Sequence, residues 1–261
     1  MSTLTTRAVT AALAAVLALT GLTACGQGGG APSPQASATG TAGDPPGRAT
    51  PRFLTRDRSS ALDPDAAYAV TATVPDVAVH ESPGGAVLDT LANPLPSGAP
   101  RTFLLADPAT AGEWLEVWVP VRPNGTRGWV RASEVELAEV GYRLEVSTAD
   151  NELMLLEDGE PVRTFPVATG TGDTPTPLGT FFLTELLEPT NRGYGPYAYG
   201  LSGFSEVLSD FGGGPGQIGL HGTEDAGSIG RAASHGCIRL ANEDITELAE
   251  LLPLGTPVVI S

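Results

Sequence analysis

Lysine is absent. All 14 basic residues are arginine, set against 30 acidic ones, for a formal net charge of −16. Histidine occurs three times and cysteine twice in 261 residues. These shortages exclude whole classes of function. A nucleic-acid surface needs clustered cations, so nucleic acid is excluded as a partner. A polybasic patch for anionic lipid is excluded on the same ground. No CxxC or HExxH pattern is present, so neither a metal nor another cofactor is expected. The glycine-rich run 212–216 lacks the Lys and Ser/Thr of a phosphate-binding loop, which excludes a nucleotide site there.

Long apolar runs are also missing. The one candidate, 8–19, follows Arg7 and is broken only by Thr10. It is too short to span a membrane and the right length for a signal-peptide core. It ends in Leu22-Thr23-Ala24-Cys25, which resembles the bacterial lipobox. The resemblance implies that 1–24 is a lipoprotein signal peptide. Cys25 would then carry a lipid anchor whose two or three acyl chains hold the protein at the membrane. The implied location is the outer face of the cytoplasmic membrane, in the cell-wall zone. Residues 25–64 are rich in Gly, Pro, Ser and Ala and read as a disordered tether. A Cys25–Cys237 disulfide is not expected, because it would tie a tail residue to a motif that needs a free thiol.

Residues 65–140 show short alternating segments and turns. Leu115, Val117 and Val119 share one strand face, and Trp114, Glu116 and Trp118 the other. Asn124-Gly125 is a hairpin signal. Ser82-Pro83-Gly84-Gly85, Trp114-Leu115-Glu116-Val117 and Gly128-Trp129-Val130 together resemble bacterial SH3-like domains. Tryptophans in so small a barrel are expected to complete a thin core, although stacking on wall sugars is the functional alternative. His80 reads as an ordinary surface residue.

From Gly141 the pattern changes. Residues 152–157 and 160–168 read as strands joined by a tight Asp158-Gly159 turn. Residues 170–179 read as a rigid turn segment. Tyr194, Tyr197 and Tyr199 fall in a glycine-containing loop, 191–200, that reads as a substrate wall or lid, with a buried-corner role for one or two of the tyrosines as the equal alternative. Asn242 is the expected N-cap of a short helix with Ile245, Leu248 and Leu252 on its apolar face. Residues 258–260 read as a closing central strand.

The chemistry is concentrated in Ser234-His235-Gly236-Cys237-Ile238-Arg239 and, upstream, in Gln217-Ile218-Gly219-Leu220-His221-Gly222. An imidazole near a thiol can take its proton and hold the resulting ion pair. Backbone N–H groups around Cys237 are candidate oxyanion donors. His221 at a strand end and His235, two residues from Cys237, both qualify as the base. If 235–237 is extended, His235 and Cys237 share a face. A His221/His235/Cys237 zinc site is the metal alternative.

These two motifs, with Thr176-Pro177-Leu178-Gly179-Thr180-Phe181, resemble the L,D-transpeptidase catalytic-domain family over residues 141–261. The resemblance implies a mainly β fold, in which a small SH3-like barrel precedes a β-sandwich-like catalytic domain with a short C-terminal helix. It implies a cysteine acyltransferase that cross-links peptidoglycan stem peptides through a Cys237 thioester, releasing terminal D-Ala. His221 is then the proton donor and acceptor, and His235 a supporting group. Ser234 and Gly236 shape the turn, and Arg239 binds a substrate carboxylate or braces the loop. Tyr194, Tyr197 and Tyr199 are the candidate substrate wall. An L,D-carboxypeptidase, with water in place of the acceptor amine, and a non-catalytic wall-binding lipoprotein are the alternatives. A monomer is expected, although no sequence feature decides the oligomeric state.

Overall fold

In the computed structural model the described residues are 52–53, 62–211 and 214–261. The expected signal peptide, Cys25 and most of the expected tether lie outside them.

The first sheet comprises β1 (Arg52–Phe53), β2 (Ala67–Ala72), β3 (Asp76–His80), β4 (Val87–Ala92), β5 (Thr102–Leu105), β6 (Trp114–Trp118), β7 (Arg127–Arg131) and β8 (Val135–Val140). Its order is β1-β8-β2-β5-β6-β7-β3-β4. Every pairing in it is antiparallel. Period-two alternation decides its inner face. Leu115, Val117 and Val119 of the β6 segment pack with Val70, Val77, Val79, Phe103 and Val130 in a closed core. β1 lies inside the stretch expected to be a disordered tether. Its backbone pairs with β8, Arg52 opposite Glu139 and Phe53 opposite Ala138.

The tryptophans depart from the sequence expectation. Trp114 and Trp118 alternate with the core residues of β6 and so face outward, half-buried. Arg131 lies 4.4 Å over Trp114 and Arg127 4.1 Å over Trp118, and His80 meets Trp114 edge-on at 4.9 Å. The core is already filled by aliphatic residues with Tyr68 and Phe103, so the indole rings pair with arginines outside it. His80 is likewise tied down, its Nδ1 donating to the Gly85 carbonyl at 2.8 Å.

The second half contains β9 (Tyr142–Ser147), β10 (Glu152–Glu157), β11 (Glu160–Pro166), β12 (Thr169–Gly170), β13 (Gly179–Leu187), β14 (Ala198–Phe204), β15 (Gln217–Gly222), β16 (Ala232–Ser234), β17 (Ile238–Leu240), α1 (Asn242–Leu251) and β18 (Pro257–Ile260). The main sheet runs β11-β10-β9-β18-β13-β14-β15-β17, and β12 pairs separately with β16. Asp158 and Gly159 take positive φ of 49° and 83°, which suits the tight β10–β11 turn. Ile245, Leu248, Ala249 and Leu252 seal one side of the core. Each fully buried aliphatic side chain there contributes about 1.5–3 kcal/mol relative to exposure.

Helix α1 begins at Asn242, with Ala241 at the N-cap and no side-chain cap. The Asn242 amide points away from the helix start, its Nδ2 toward Glu224 at 3.4 Å. Its Oδ1 lies 2.3 and 2.4 Å from where a Cβ would stand on Gly195 and Gly222, so it fills the space those glycines leave. The halves of the molecule meet closely. Only Gly141 separates β8 from β9. Gly255, at φ 86°, brings its backbone so near Ala69 that a Cβ would lie 2.4 Å from that residue's methyl.

Candidate active site

Strand β15 presents the first component. Ile218 and Leu220 enter the core, and alternation turns Gly219 and His221 the other way. His221 is 3% exposed, its ring tilted against Tyr194 at 4.6 Å. Its Nδ1 lies 2.6 Å from the Gly222 carbonyl oxygen. A carbonyl only accepts, so Nδ1 carries the proton and Nε2 keeps its lone pair. Burial pushes the His221 pKa down to about 4. The Gly222 hydrogen bond opposes this and the Arg239 charge adds to it.

The second component is the turn between β16 and β17. Ser234 Oγ donates to the Cys237 carbonyl at 2.5 Å and accepts from the Gly236 N–H at 3.1 Å. Gly236 takes φ 116°, with the Ile218 methyl 3.1 Å from where its Cβ would be. A side chain there would be strained and crowded at once. The turn is braced from the 170–179 segment. Thr176 Oγ1 donates to the Gly236 carbonyl at 2.9 Å and accepts from the Gly170 N–H at 2.8 Å. The Thr171 N–H donates to the Ser234 carbonyl at 3.0 Å.

Parallel pairing of β15 with β17 joins the two components. The Gly219 N–H donates to Cys237 Sγ at 3.4 Å. The position of an added Gly219 Cβ would lie 3.5 Å from His221 Cδ2 and 3.7 Å from Cys237 Sγ. Imidazole and thiol therefore converge on Gly219, a β15 position without a side chain. Burial raises the Cys237 pKa, outweighing the Gly219 N–H and the Arg239 charge, which both lower it. The resting centre is thus a neutral thiol beside a neutral imidazole, not the ion pair expected from the sequence. The Gly236 N–H belongs to Ser234 and is not a free oxyanion donor.

His235 goes elsewhere. Gly236 breaks the extended alternation that would have aligned it with Cys237. His235 is exposed, its ring against Phe211 at 5.5 Å. Arg239 Nη1 reaches the Ala233 carbonyl at 3.5 Å, while its buried Nε has no hydrogen-bond partner. Tyr194 closes the 3₁₀ turn Arg192–Tyr194 over His221. Its phenol pKa is raised by burial and by Cys237, and lowered by Arg239.

Tyr199 is buried away from any substrate wall. Tyr199 lies in β14, 1% exposed, its hydroxyl donating to the carbonyls of Leu248 (3.2 Å) and Leu252 (2.9 Å). Tyr197 packs against the core of the same sheet. The alternation that begins at β14 explains Tyr199, because the chain is already strand there; Tyr197 precedes the strand and is half-buried. Among the described residues no group of three or more His, Cys, Asp and Glu side chains converges as a metal site would require.

Several contributors had little sequence signal. Gly219 lies inside the His221 segment, and Thr176 inside the 170–179 turn, but neither is chemically distinctive alone. Phe211 had none.

The model of the L,D-transpeptidase catalytic domain family matches residues 141–260. The YkuD protein of Bacillus licheniformis, whose name places it among the L,D-transpeptidases, is 36% identical over 122 residues, 47% of this chain and 67% of that protein. The similarly named YqjB protein of Bacillus subtilis is 35% identical over 130 residues, 44% of this chain and 69% of that protein. Among solved structures, an L,D-transpeptidase from Mycobacterium tuberculosis superposes with a TM-score of 0.39 at 20% identity, covering 52% of this chain and 71% of that one.

Proposed function

The chain belongs to the L,D-transpeptidase catalytic-domain family of enzymes, and on that premise we propose that it cross-links peptidoglycan stem peptides through a thioester on Cys237. The observation that carries the mechanism is the convergence of His221 and Cys237 on Gly219, with His221 Nδ1 bonded to the Gly222 carbonyl so that Nε2 keeps its lone pair.

Nε2 takes the thiol proton as sulfur attacks the carbonyl between the L-centre of a diamino acid and the terminal D-Ala. The C–S bond forms as the carbonyl π pair moves to oxygen. Collapse breaks the C–N bond, and His221 returns the proton to the departing D-Ala amine. An amine of a second stem then attacks the thioester and gives its proton to Nε2. The C–S bond breaks, and the thiol is regenerated. Concerted proton transfer suits this pair, because neither charged partner is favoured in the buried resting site. Arg239, with a buried N–H lacking a partner, is the group we assign to a substrate carboxylate. Tyr194 covers the His221 ring as one wall. His235 flanks the site from outside.

Intact-protein mass spectrometry with a carbapenem-type acyl donor tests the nucleophile: one adduct is expected, lost in Cys237→Ala. Product analysis with donor and acceptor stems tests transfer. Cross-linked dimers are expected, and shortened monomers alone would make the enzyme a carboxypeptidase instead.

The finer organisation is also a proposal. The strand pattern and outward tryptophans support reading the first sheet as SH3-like. The lipobox-like Leu22-Thr23-Ala24-Cys25 supports a lipid anchor outside the cytoplasmic membrane. Fatty-acid labelling lost in Cys25→Ser is the expected result, and undiminished labelling would refute the anchor.

A further inference from the structure

The connection between β6 and β7 reaches across to the other half of the molecule. Arg122 donates to three backbone carbonyls there, Ser205 (2.6 Å), Leu208 (3.1 Å) and Pro215 (2.9 Å). Its guanidinium also lies 5.1 Å over the Phe204 ring. Asn124 forms a reciprocal pair with Phe204, donating to its carbonyl at 2.8 Å and accepting from its N–H at 2.9 Å. All six contacts fall on the end of β14 and on the two ends of the connection that follows it to β15. Gly216 is compressed there, with an added Cβ at 2.2 Å from the Leu208 carbonyl oxygen and 3.3 Å from Arg122 Nη2.

That connection also carries Phe211. Phe211 is 42% exposed and rests on the exposed ring of His235, two residues from Cys237. Its backbone is bridged to Gly214 by reciprocal hydrogen bonds, and the connection that carries both is fixed from the other half by a planar guanidinium fork that binds three of its carbonyls.

From this we propose that the first sheet is a positioning part of the acyl-transfer site, with Arg122 and Asn124 holding Phe211 against His235 as a rim over which the stem peptide binds. The inference rests on the acyltransferase reading for its functional half. Arg122 and Asn124 are positioning residues and touch no reacting atom. Cys237 and His221 have their own supports in Ser234, Thr176 and Gly222, so loss of the clamp acts on substrate binding more than on chemistry.

The test uses the folded chain with Arg122→Ala, Arg122→Lys, Phe211→Ala and the Arg122→Ala/Phe211→Ala double variant. Diethylpyrocarbonate modification of His235, read by peptide mass mapping, needs no substrate. Arg122→Ala and Phe211→Ala are each expected to speed it several-fold, with no further gain in the double variant, the non-additivity of residues acting as one unit. Arg122→Lys keeps the charge but not the fork, and its His235 is expected to react like that of Arg122→Ala. With a stem-peptide donor, Arg122→Ala is expected to raise KM by about tenfold, through a displaced rim, more than it lowers kcat. Unchanged His235 reactivity in Arg122→Ala, or additive effects in the double variant, would overturn the clamp. Faster His235 modification with an unchanged KM would overturn its role in substrate binding. If the wild-type chain turns over no stem peptide, the acyltransferase reading fails, and the His235 rates alone decide whether the clamp exists.

Discussion

The hydroxyl of Thr176 donates to the carbonyl oxygen of Gly236 at 2.9 Å, so the segment before β13 holds the turn that presents Cys237. Thr176 is buried, and the same oxygen accepts the Gly170 N–H. Thr176→Val keeps the shape and leaves both backbone groups unpaired. A loss of about 2–3 kcal/mol is expected in urea unfolding, with slower acylation of Cys237. Stability equal to the wild type would show that water replaces the hydroxyl.

Gly219→Ala places a methyl between the two reacting groups. The nearest atoms, 3.5 and 3.7 Å away, are at ordinary contact distance, so the variant is expected to fold with stability within about 0.5 kcal/mol of the wild type. The methyl obstructs the approach of sulfur and Nε2, and a 1 Å misplacement costs about a hundredfold in rate. A large fall in acylation rate at unchanged urea midpoint is the expected pattern. Wild-type acylation would mean that proton transfer takes another path.

A neutral thiol beside a neutral imidazole also makes a prediction for alkylation. Burial holds Cys237 above the usual thiol range and His221 near about 4. The iodoacetamide rate of free enzyme is therefore expected to climb with pH through and beyond the usual thiol range. An ion pair would instead give a rate plateau reaching down into acid.

His221 links stability to pH with a definite sign. Its folded pKa of about 4 lies below the unfolded value of about 6.5, so the unfolded chain binds more protons between them. Its stabilising contribution is complete above the unfolded pKa and drains away as pH falls through the folded one. From pH 7 to 4 the wild type is expected to lose about 3 kcal/mol more than His221→Gln, measured by urea unfolding. Parallel pH profiles for the two proteins would refute the buried neutral imidazole.

Tyr199 offers a contrast within the candidate wall. Its hydroxyl serves the carbonyls of Leu248 and Leu252 at the end of α1. Tyr199→Phe is expected to cost about 1–2 kcal/mol and leave KM for a stem donor unchanged. A raised KM without loss of stability would return Tyr199 to the substrate.

What could be read along the chain was whatever depends on near neighbours. Alternation in β6 named its buried face, Asp158-Gly159 named a turn, and the spacing of Ile245, Leu248 and Leu252 named a helix. The Asn242 cap was missed by one position because its amide fills a space made by Gly195 and Gly222, both distant in sequence. The outward placement of Trp114 and Trp118 was missed because core filling depends on all strands of the sheet together.

By itself the sequence determined the chemistry available: two cysteines, one of them two residues from a histidine, three histidines in all, no lysine, and the periodicities that make this chain mainly β. Only the tertiary structure decided how that chemistry is deployed. His221 joins Cys237 around Gly219, while His235 turns to Phe211. Desolvation decides that thiol and imidazole rest uncharged, and Arg122 reaches the neighbouring half to steady the rim. Burial, charge proximity and cross-sheet hydrogen bonds join residues far apart in the chain, and no local spacing encodes them.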